Sequence, residues 1–112
     1  MKNFIKKDYE TVLASERPSL IFFTSDSCHL CIGLKPIVKK LEKKYLQSID
    51  FYFCDVKKEP VLTNHMLKDA GVPTGFIISN GRLFKINDPK EPSPESWYTN
   101  EYLDGLIGVI IG

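Results

Sequence analysis

Ser19-Leu20-Ile21-Phe22-Phe23-Thr24-Ser25-Asp26-Ser27-Cys28-His29-Leu30-Cys31 decides the fold. Its first half, Ser19 to Thr24, is a continuous apolar run between polar residues, the pattern of a central strand buried on both faces. Ser25-Asp26-Ser27 supplies turn and cap chemistry. Leu30, Leu34, Ile37, Val38, Leu41 and Tyr45 then recur at helical spacing, so a long helix is predicted to begin near Cys28. A buried strand thus turns into a helix that opens on a Cys-x-x-Cys pair.

Working outward, Asp8 is predicted to cap a short helix with Tyr9, Val12 and Leu13 on one face, ended by Glu16-Arg17-Pro18 because Pro18 biases Arg17 away from helix. Downstream, Ile49 to Val56 returns to a strand pattern rich in aromatics. Pro60 to Ala70 carries Val61, Leu62, Met66 and Leu67 at helical intervals, with Pro60 suited to a first turn and Gly71 to a C-terminal cap. Thr74 to Ser79 and Arg82 to Ile86 flank Asn80-Gly81, a strong hairpin signal. Asn87 to Ser96 holds Pro89, Pro92 and Pro94 and reads as an extended loop. From Glu95 or Ser96 onward, Trp97, Tyr102, Leu103, Leu106, Ile107 and Ile110 suit a last amphipathic helix, weakened by Gly105 and Gly108. The order helix, strand, helix, strand, helix, hairpin, helix implies an α/β protein with a mixed sheet covered on both faces.

The 112 residues suit one domain, 1–112, with a core of its own, and 43% hydrophobic and 12% aromatic content is that of a folded chain. Fifteen basic against 14 acidic residues leave a net charge of +1, too little to concentrate nucleic acid or anionic lipid, so neither is expected as a partner. The N-terminus lacks a signal-peptide core and no run approaches a membrane span, which points to the cytoplasm. Three cysteines, an odd number, suit a reducing compartment in which one close pair does redox or metal work.

At the start of a helix, the first sulfur of the pair meets unpaired backbone N–H groups and the positive end of the helix dipole, which favour thiolate over thiol. Cys28 is therefore the expected nucleophile. Cys31, one turn deeper on the same side, is placed to attack a mixed disulfide and is the expected resolving cysteine. His29, if protonated, would stabilise the neighbouring thiolate and make the disulfide more oxidising, whereas the Asp26 carboxylate opposes a second negative charge; a solvated helix-start histidine is the alternative for His29. Cys54, among Phe51, Tyr52 and Phe53, is expected to be a buried structural residue, His65 a surface one, and Trp97 core or surface cover.

In four places the sequence resembles the thioredoxin family: the pair directly after an apolar strand, Pro36 eight residues after Cys28, Gly71-Val72-Pro73-Thr74 before the hairpin, and the Asn80-Gly81 turn with a last helix beyond. The resemblance covers residues 8–111 and implies a three-layer α/β/α sandwich with central parallel strands and a C-terminal antiparallel hairpin. It implies a cis peptide bond before Pro73, consistent with proline's being the residue that tolerates that isomer in shaped turns. It also implies that the Val72-Pro73 loop faces the cysteine pair, with Val72 offering backbone groups to an extended substrate. The activity implied is thiol-disulfide exchange on a disulfide-containing protein or a small thiol substrate, with a thioredoxin-reductase-type electron donor and no cofactor or metal. The site departs from the family's common Trp-Cys-Gly-Pro-Cys: Ser27 stands for the tryptophan and His29-Leu30 for the inner dipeptide. The family's buried acid falls at Phe22 and its nearby lysine near Phe53.

Two other readings compete. A zinc module would need ligands beyond Cys28 and Cys31, from Cys54, His29 and His65, without a second close pair. A binding or accessory protein on the same fold would keep the groove with weak or no redox turnover.

Overall fold

The computed structural model describes residues 2–112. Ser19–Thr24, here β2, has every residue buried, with Leu20, Ile21, Phe22 and Phe23 at 0% exposure. The alternation of a strand explains how: Leu20 and Phe22 enter one core cluster, Ile21 and Phe23 the other. Burying such side chains contributes roughly 1.5–3 kcal/mol each. The backbone is satisfied on both edges, parallel to β3 (Asp50–Asp55) and antiparallel to β4 (Thr74–Ser79).

With β1 at Lys2–Asn3, the five-stranded sheet runs β1-β3-β2-β4-β5, with β5 (Arg82–Lys85) antiparallel to β4 across the Asn80-Gly81 turn. Asn80 and Gly81 both take positive φ, 54° and 75°, as a two-residue hairpin turn requires. β5 is exposed throughout and carries Arg82 and Lys85 at its ends, charges that discourage edge-to-edge pairing. Strand β1 (Lys2–Asn3), parallel to β3, was not expected from the sequence: two polar residues show no alternation, and pairing alone defines them.

Helix α2 (His29–Lys44) packs Leu34, Val38 and Leu41 on one face of the sheet, beside Leu103 and Ile107 of α4 (Asn100–Ile111). On the other face lie Val12 of α1 (Asp8–Ala14) and Leu62 and Met66 of α3 (Pro60–Met66). The three-layer α/β/α arrangement and the mixed sheet are therefore as expected. Asp104 ties α4 to α2, accepting from Lys44 Nζ at 2.7 Å and from the Tyr45 hydroxyl, bonds that hold its carboxyl below the usual range.

Three boundaries differ from the sequence reading. Asp8 is the first residue of α1 rather than its cap, and its carboxylate reaches back to accept from the Ile5 amide at 3.0 Å. Helix α3 ends at Met66 instead of near Ala70, with Lys68 taking the left-handed conformation (φ 54°) that had been assigned to a glycine cap at Gly71. Helix α4 starts at Asn100, capped by Thr99, whose hydroxyl accepts from the Tyr102 amide at 3.1 Å. Trp97 lies outside it, with φ 62°.

The proline-rich segment is a loop, as expected, but a tied one. Ser93 and Trp97 exchange two backbone hydrogen bonds at 2.9 Å, the Trp97 indole N–H donates to Asp88 at 3.1 Å, and the Tyr102 hydroxyl donates to the Asn87 carbonyl at 2.7 Å. Its end is clamped against α2 so closely that a Cβ on Gly33 would collide with the Glu95 carbonyl.

Cys54 is fully buried in the second core cluster, as expected. Burial first, then the carboxylates of Glu59 and Asp55, push its thiol up to about 12.

Gly33→Ala gains up to about 1 kcal/mol of helix propensity but meets backbone that cannot yield, a conflict of about 1–3 kcal/mol, so it should lower the urea midpoint. Gly105→Ala, with nothing within 4 Å of the added Cβ, should instead raise stability by about 0.5–1 kcal/mol. In fully reduced native protein at pH 8, iodoacetamide should label Cys28 and leave Cys54 unmodified until denaturant is added, as peptide mass mapping would show.

Candidate functional site

The end of β2 delivers the chain to the cysteine pair through Ser25-Asp26-Ser27, where the Ser25 and Ser27 hydroxyls lie 3.2 Å apart and the Cys28 amide donates to the Ser25 carbonyl at 3.1 Å. Cys28 is the N-cap of α2, and its Sγ accepts from the Cys31 amide at 3.0 Å. A sulfur thus occupies the place where a cap oxygen ordinarily accepts, at the positive end of a 16-residue helix. Cys28 and Cys31 are joined in a disulfide with their Cα atoms 5.2 Å apart. The two sulfurs differ in access: Cys28 is half-buried, whereas Cys31 is at 0% exposure.

The Val72-Pro73 peptide bond is cis, and the Val72 carbonyl oxygen lies 3.8 Å from Cys28 Sγ. The loop therefore faces the pair. Pro73 is buried and Val72 half-buried, so the accessible part of this loop is Val72 together with exposed Gly71. Thr74, predicted only as the start of a strand, opens β4 and donates its hydroxyl proton back to the Gly71 carbonyl, which closes the loop on itself.

Behind the pair, Phe22 fills the position at which the family's acid was expected. Its ring meets Tyr98 edge-on at 5.9 Å and Phe53 at 6.2 Å. Tyr98 is itself fully buried, and its hydroxyl accepts from the Gly75 amide at 3.3 Å. Burial pushes that phenol up to about 12, so it stays protonated across the physiological range. The interior here is an aromatic cluster with one neutral hydroxyl.

The remaining expected residues separate. Asp26 lies on the far side of the pair from Val72, lining a cleft of about 290 Å³ with Lys35, Asp55, Lys58 and Glu59 at the carboxyl ends of β2 and β3. His29 is exposed at the first residue of α2 and lines neither this cleft nor the groove beside Val72. Of the cysteine and histidine residues that a zinc module would need, Cys54 is in the opposite core cluster and His65 sits on α3 against the Tyr9 ring. Among the described residues no group of three or more His, Cys, Asp or Glu side chains is arranged to hold a metal ion, and no helix is long and apolar enough to cross a membrane.

Sequence reasoning missed part of the groove. Leu30, Val72 and Pro73 line it from the active-site side, and Trp97, Asp88 and Lys85 close it from the other. Trp97, expected as core or surface cover, does pack half-buried against the first core cluster, but it also lines this groove, and it does so from the loop rather than from the last helix. The available signal was the break before it: three prolines within six residues cannot continue a helix, and the next polar cap is Thr99.

Comparison with known proteins agrees with this geometry. The family model described as Thioredoxin matches residues 1–96. Over 54 residues the chain is 46% identical to a protein named Thioredoxin from Borreliella burgdorferi, a stretch that is 48% of this chain and 46% of that relative. The match thus spans about half the relative's length. Since the family model covers most of the chain, including β2, the cysteine pair and the cis-proline hairpin, the chain belongs to the thioredoxin family.

Proposed function

We propose that this chain is a thiol-disulfide oxidoreductase acting on protein or small-molecule disulfides through Cys28 and Cys31. The observation that carries the reading is the placement of the pair: a half-exposed sulfur capping α2, bonded to a fully buried one, beside the carbonyl that precedes a cis-proline.

In the dithiol form, the Cys31 amide and the end of the helix stabilise a Cys28 thiolate, which is the attacking species. It displaces one sulfur of the substrate disulfide, forming a mixed disulfide, and the departing thiolate takes a proton from solvent. Cys31, once deprotonated, attacks Cys28 Sγ and releases the second substrate thiolate. Two electrons pass to the substrate, and the protein is left with its Cys28–Cys31 disulfide. Val72 supports the exchange by offering its backbone to the extended substrate next to the attacked bond. On this reading the pair is returned to the dithiol by a reductase of the thioredoxin-reductase type, and the protein works in the cytoplasm, where a buried Cys54 stays a thiol.

Tuning falls to His29 and Asp26. Protonated His29 favours the thiolate, while Asp26 opposes it from across the pair, beside Lys35 and Lys58 of its own cleft. Because His29 is exposed, its effect is screened by solvent.

A second reading, a binding or accessory protein with weak turnover, is favoured by one observation: Phe22, Phe53 and Tyr98 leave an aromatic cluster where the family's buried acid would assist proton movement at the resolving cysteine.

Redox titration against glutathione and steady-state reduction of a protein disulfide separate the two. Cys28→Ser should abolish disulfide reduction, and Cys31→Ser should accumulate a mixed disulfide on Cys28 detectable by mass. A potential near about −270 mV marks a reductant and one near about −120 mV an oxidant, whereas a pair that does not close in the titration removes the oxidoreductase reading. His29→Ala should raise the Cys28 pKa and make the pair more reducing, by on the order of 10 mV given an exposed charge; no change in either refutes the tuning role.

A further inference from the structure

We infer that Trp97 is a substrate-contacting, specificity-determining residue: it forms the far wall of a groove that holds the polypeptide flanking a substrate's disulfide cysteine, and it favours an aromatic side chain there. The inference rests on the disulfide-exchange reading and extends it to substrate choice.

The groove, about 350 Å³, runs from Leu30, Val72 and Pro73 to Trp97, with Lys85 and Asp88 at its rim. That volume sits at the small end of ligand sites and has room for one or two side chains rather than a cofactor. Its near end is fixed to the chemistry, since the Val72 carbonyl oxygen is 3.8 Å from Cys28 Sγ. Any polypeptide joined to Cys28 in a mixed disulfide is therefore tethered at the mouth of the groove, and its neighbouring residue has Trp97 across from it. The occupant follows from that tether: it is the substrate's own chain.

Trp97 is held for this contact. Its backbone adopts φ 62°, a conformation that costs a bulky residue on the order of 1–3 kcal/mol and persists only where the surroundings impose it. Paired backbone bonds to Ser93 impose it, and the bond from the indole N–H to Asp88 fixes the ring. The indole's polar edge is thus already satisfied, part of its apolar surface packs on the first core cluster, and the half that stays exposed lines the groove. A rigid aromatic wall facing Leu30, Val72 and Pro73 suits a flat apolar side chain, at little entropic cost to the protein.

The test compares three substrates for the reduced protein: a disulfide peptide with phenylalanine beside one cysteine, the same peptide with alanine there, and glutathione disulfide. The wild type should reduce the phenylalanine peptide about tenfold faster than the alanine peptide in kcat/KM, the effect of one good aromatic anchor. Trp97→Ala should erase that preference, slowing the phenylalanine peptide about tenfold more than it slows glutathione disulfide, and Trp97→Phe should keep most of it. Trp97 is the sole tryptophan, so its emission reports on the groove directly. In Cys31→Ser protein, the trapped phenylalanine peptide should shift that emission and trapped glutathione should not. A wild type that reduces all three substrates without a flank preference, or a Trp97→Ala that slows all three alike, overturns the role of Trp97 and leaves the exchange reading intact. A wild type that reduces none of the three overturns both.

Discussion

The complete burial of β2 is the constraint from which the site follows. A strand with no exposed face must have both edges paired and both sides covered, so β3, β4 and the two helix layers are all determined by it. Where such a strand ends, at Thr24, the chain leaves the core at a defined point, and after Ser25-Asp26-Ser27 it reaches Cys28, the cap of α2. The cysteine pair is consequently built on rigid elements rather than on a loop. The half-exposed Cys28 and the buried Cys31 differ because one is the cap and the other the third residue of a helix whose next apolar residues, Leu34, Val38 and Leu41, press into the sheet. On the proposed mechanism that difference assigns the roles: substrate reaches one sulfur, and the other is reachable only from within.

The same packing explains how the protein does without a buried charge beneath the site. An isolated carboxylate at position 22, among Phe53, Tyr98 and the rest of the first core cluster, would need partners to offset its desolvation. Phe22 needs none, and its ring is part of a chain of contacts through Tyr98 to the Gly75 amide, one residue past Thr74 and the cis-proline loop. Gly75 has room for no Cβ, since one would stand 2.8 Å from the Phe22 ring. Tyr98 in turn stacks on Tyr102, at the start of α4. The core beneath the cysteines is thus continuous with the segment that carries Trp97, and the apolar substitution at Phe22 and the docking of the last loop are parts of one packed unit.

How much of this could be read from the sequence depended on range. β2, β4 and the start of α2 match their expected bounds because the signals are local and strong: an uninterrupted apolar run, a cap, an Asn-Gly turn. The cis bond at Pro73 and the facing of Val72 toward Cys28 were legible through the motif that contains them. What failed was non-local. The two-residue β1 exists because β3 has a free edge, and no pattern in Lys2-Asn3 announces it. Gly71 was given a capping role by composition, but the helix had already ended and Lys68 took the left-handed turn. Trp97 is an apolar residue close before the run that ends in Leu103 and Ile107, and the bonds to Ser93 and Asp88 show that it belongs to the loop. Asp26 and Val72 are equally close to Cys28 in argument, yet the structure sets them on opposite sides of it.

That separation gives the site two unlike flanks. On the Asp26 side, acidic and basic side chains alternate around the cleft, and mixed exposed charges are largely screened at physiological salt. On the Val72 side, Leu30, Val72, Pro73 and the held indole of Trp97 give the surface a larger apolar share, with Lys85 and Asp88 beside them. An extended chain crossing the pair would gain most of its contact energy from the second flank, because desolvating apolar surface is favourable and separating solvated ion pairs is not. On the same proposal, the charged side acts on the sulfur electrostatically without holding the substrate. On the proposed mechanism, binding on the Val72 side and electrostatic tuning by Asp26 on the other are then carried by different residues, so that changes in the loop before α4 would alter which disulfides are chosen while the cysteine pair keeps its potential.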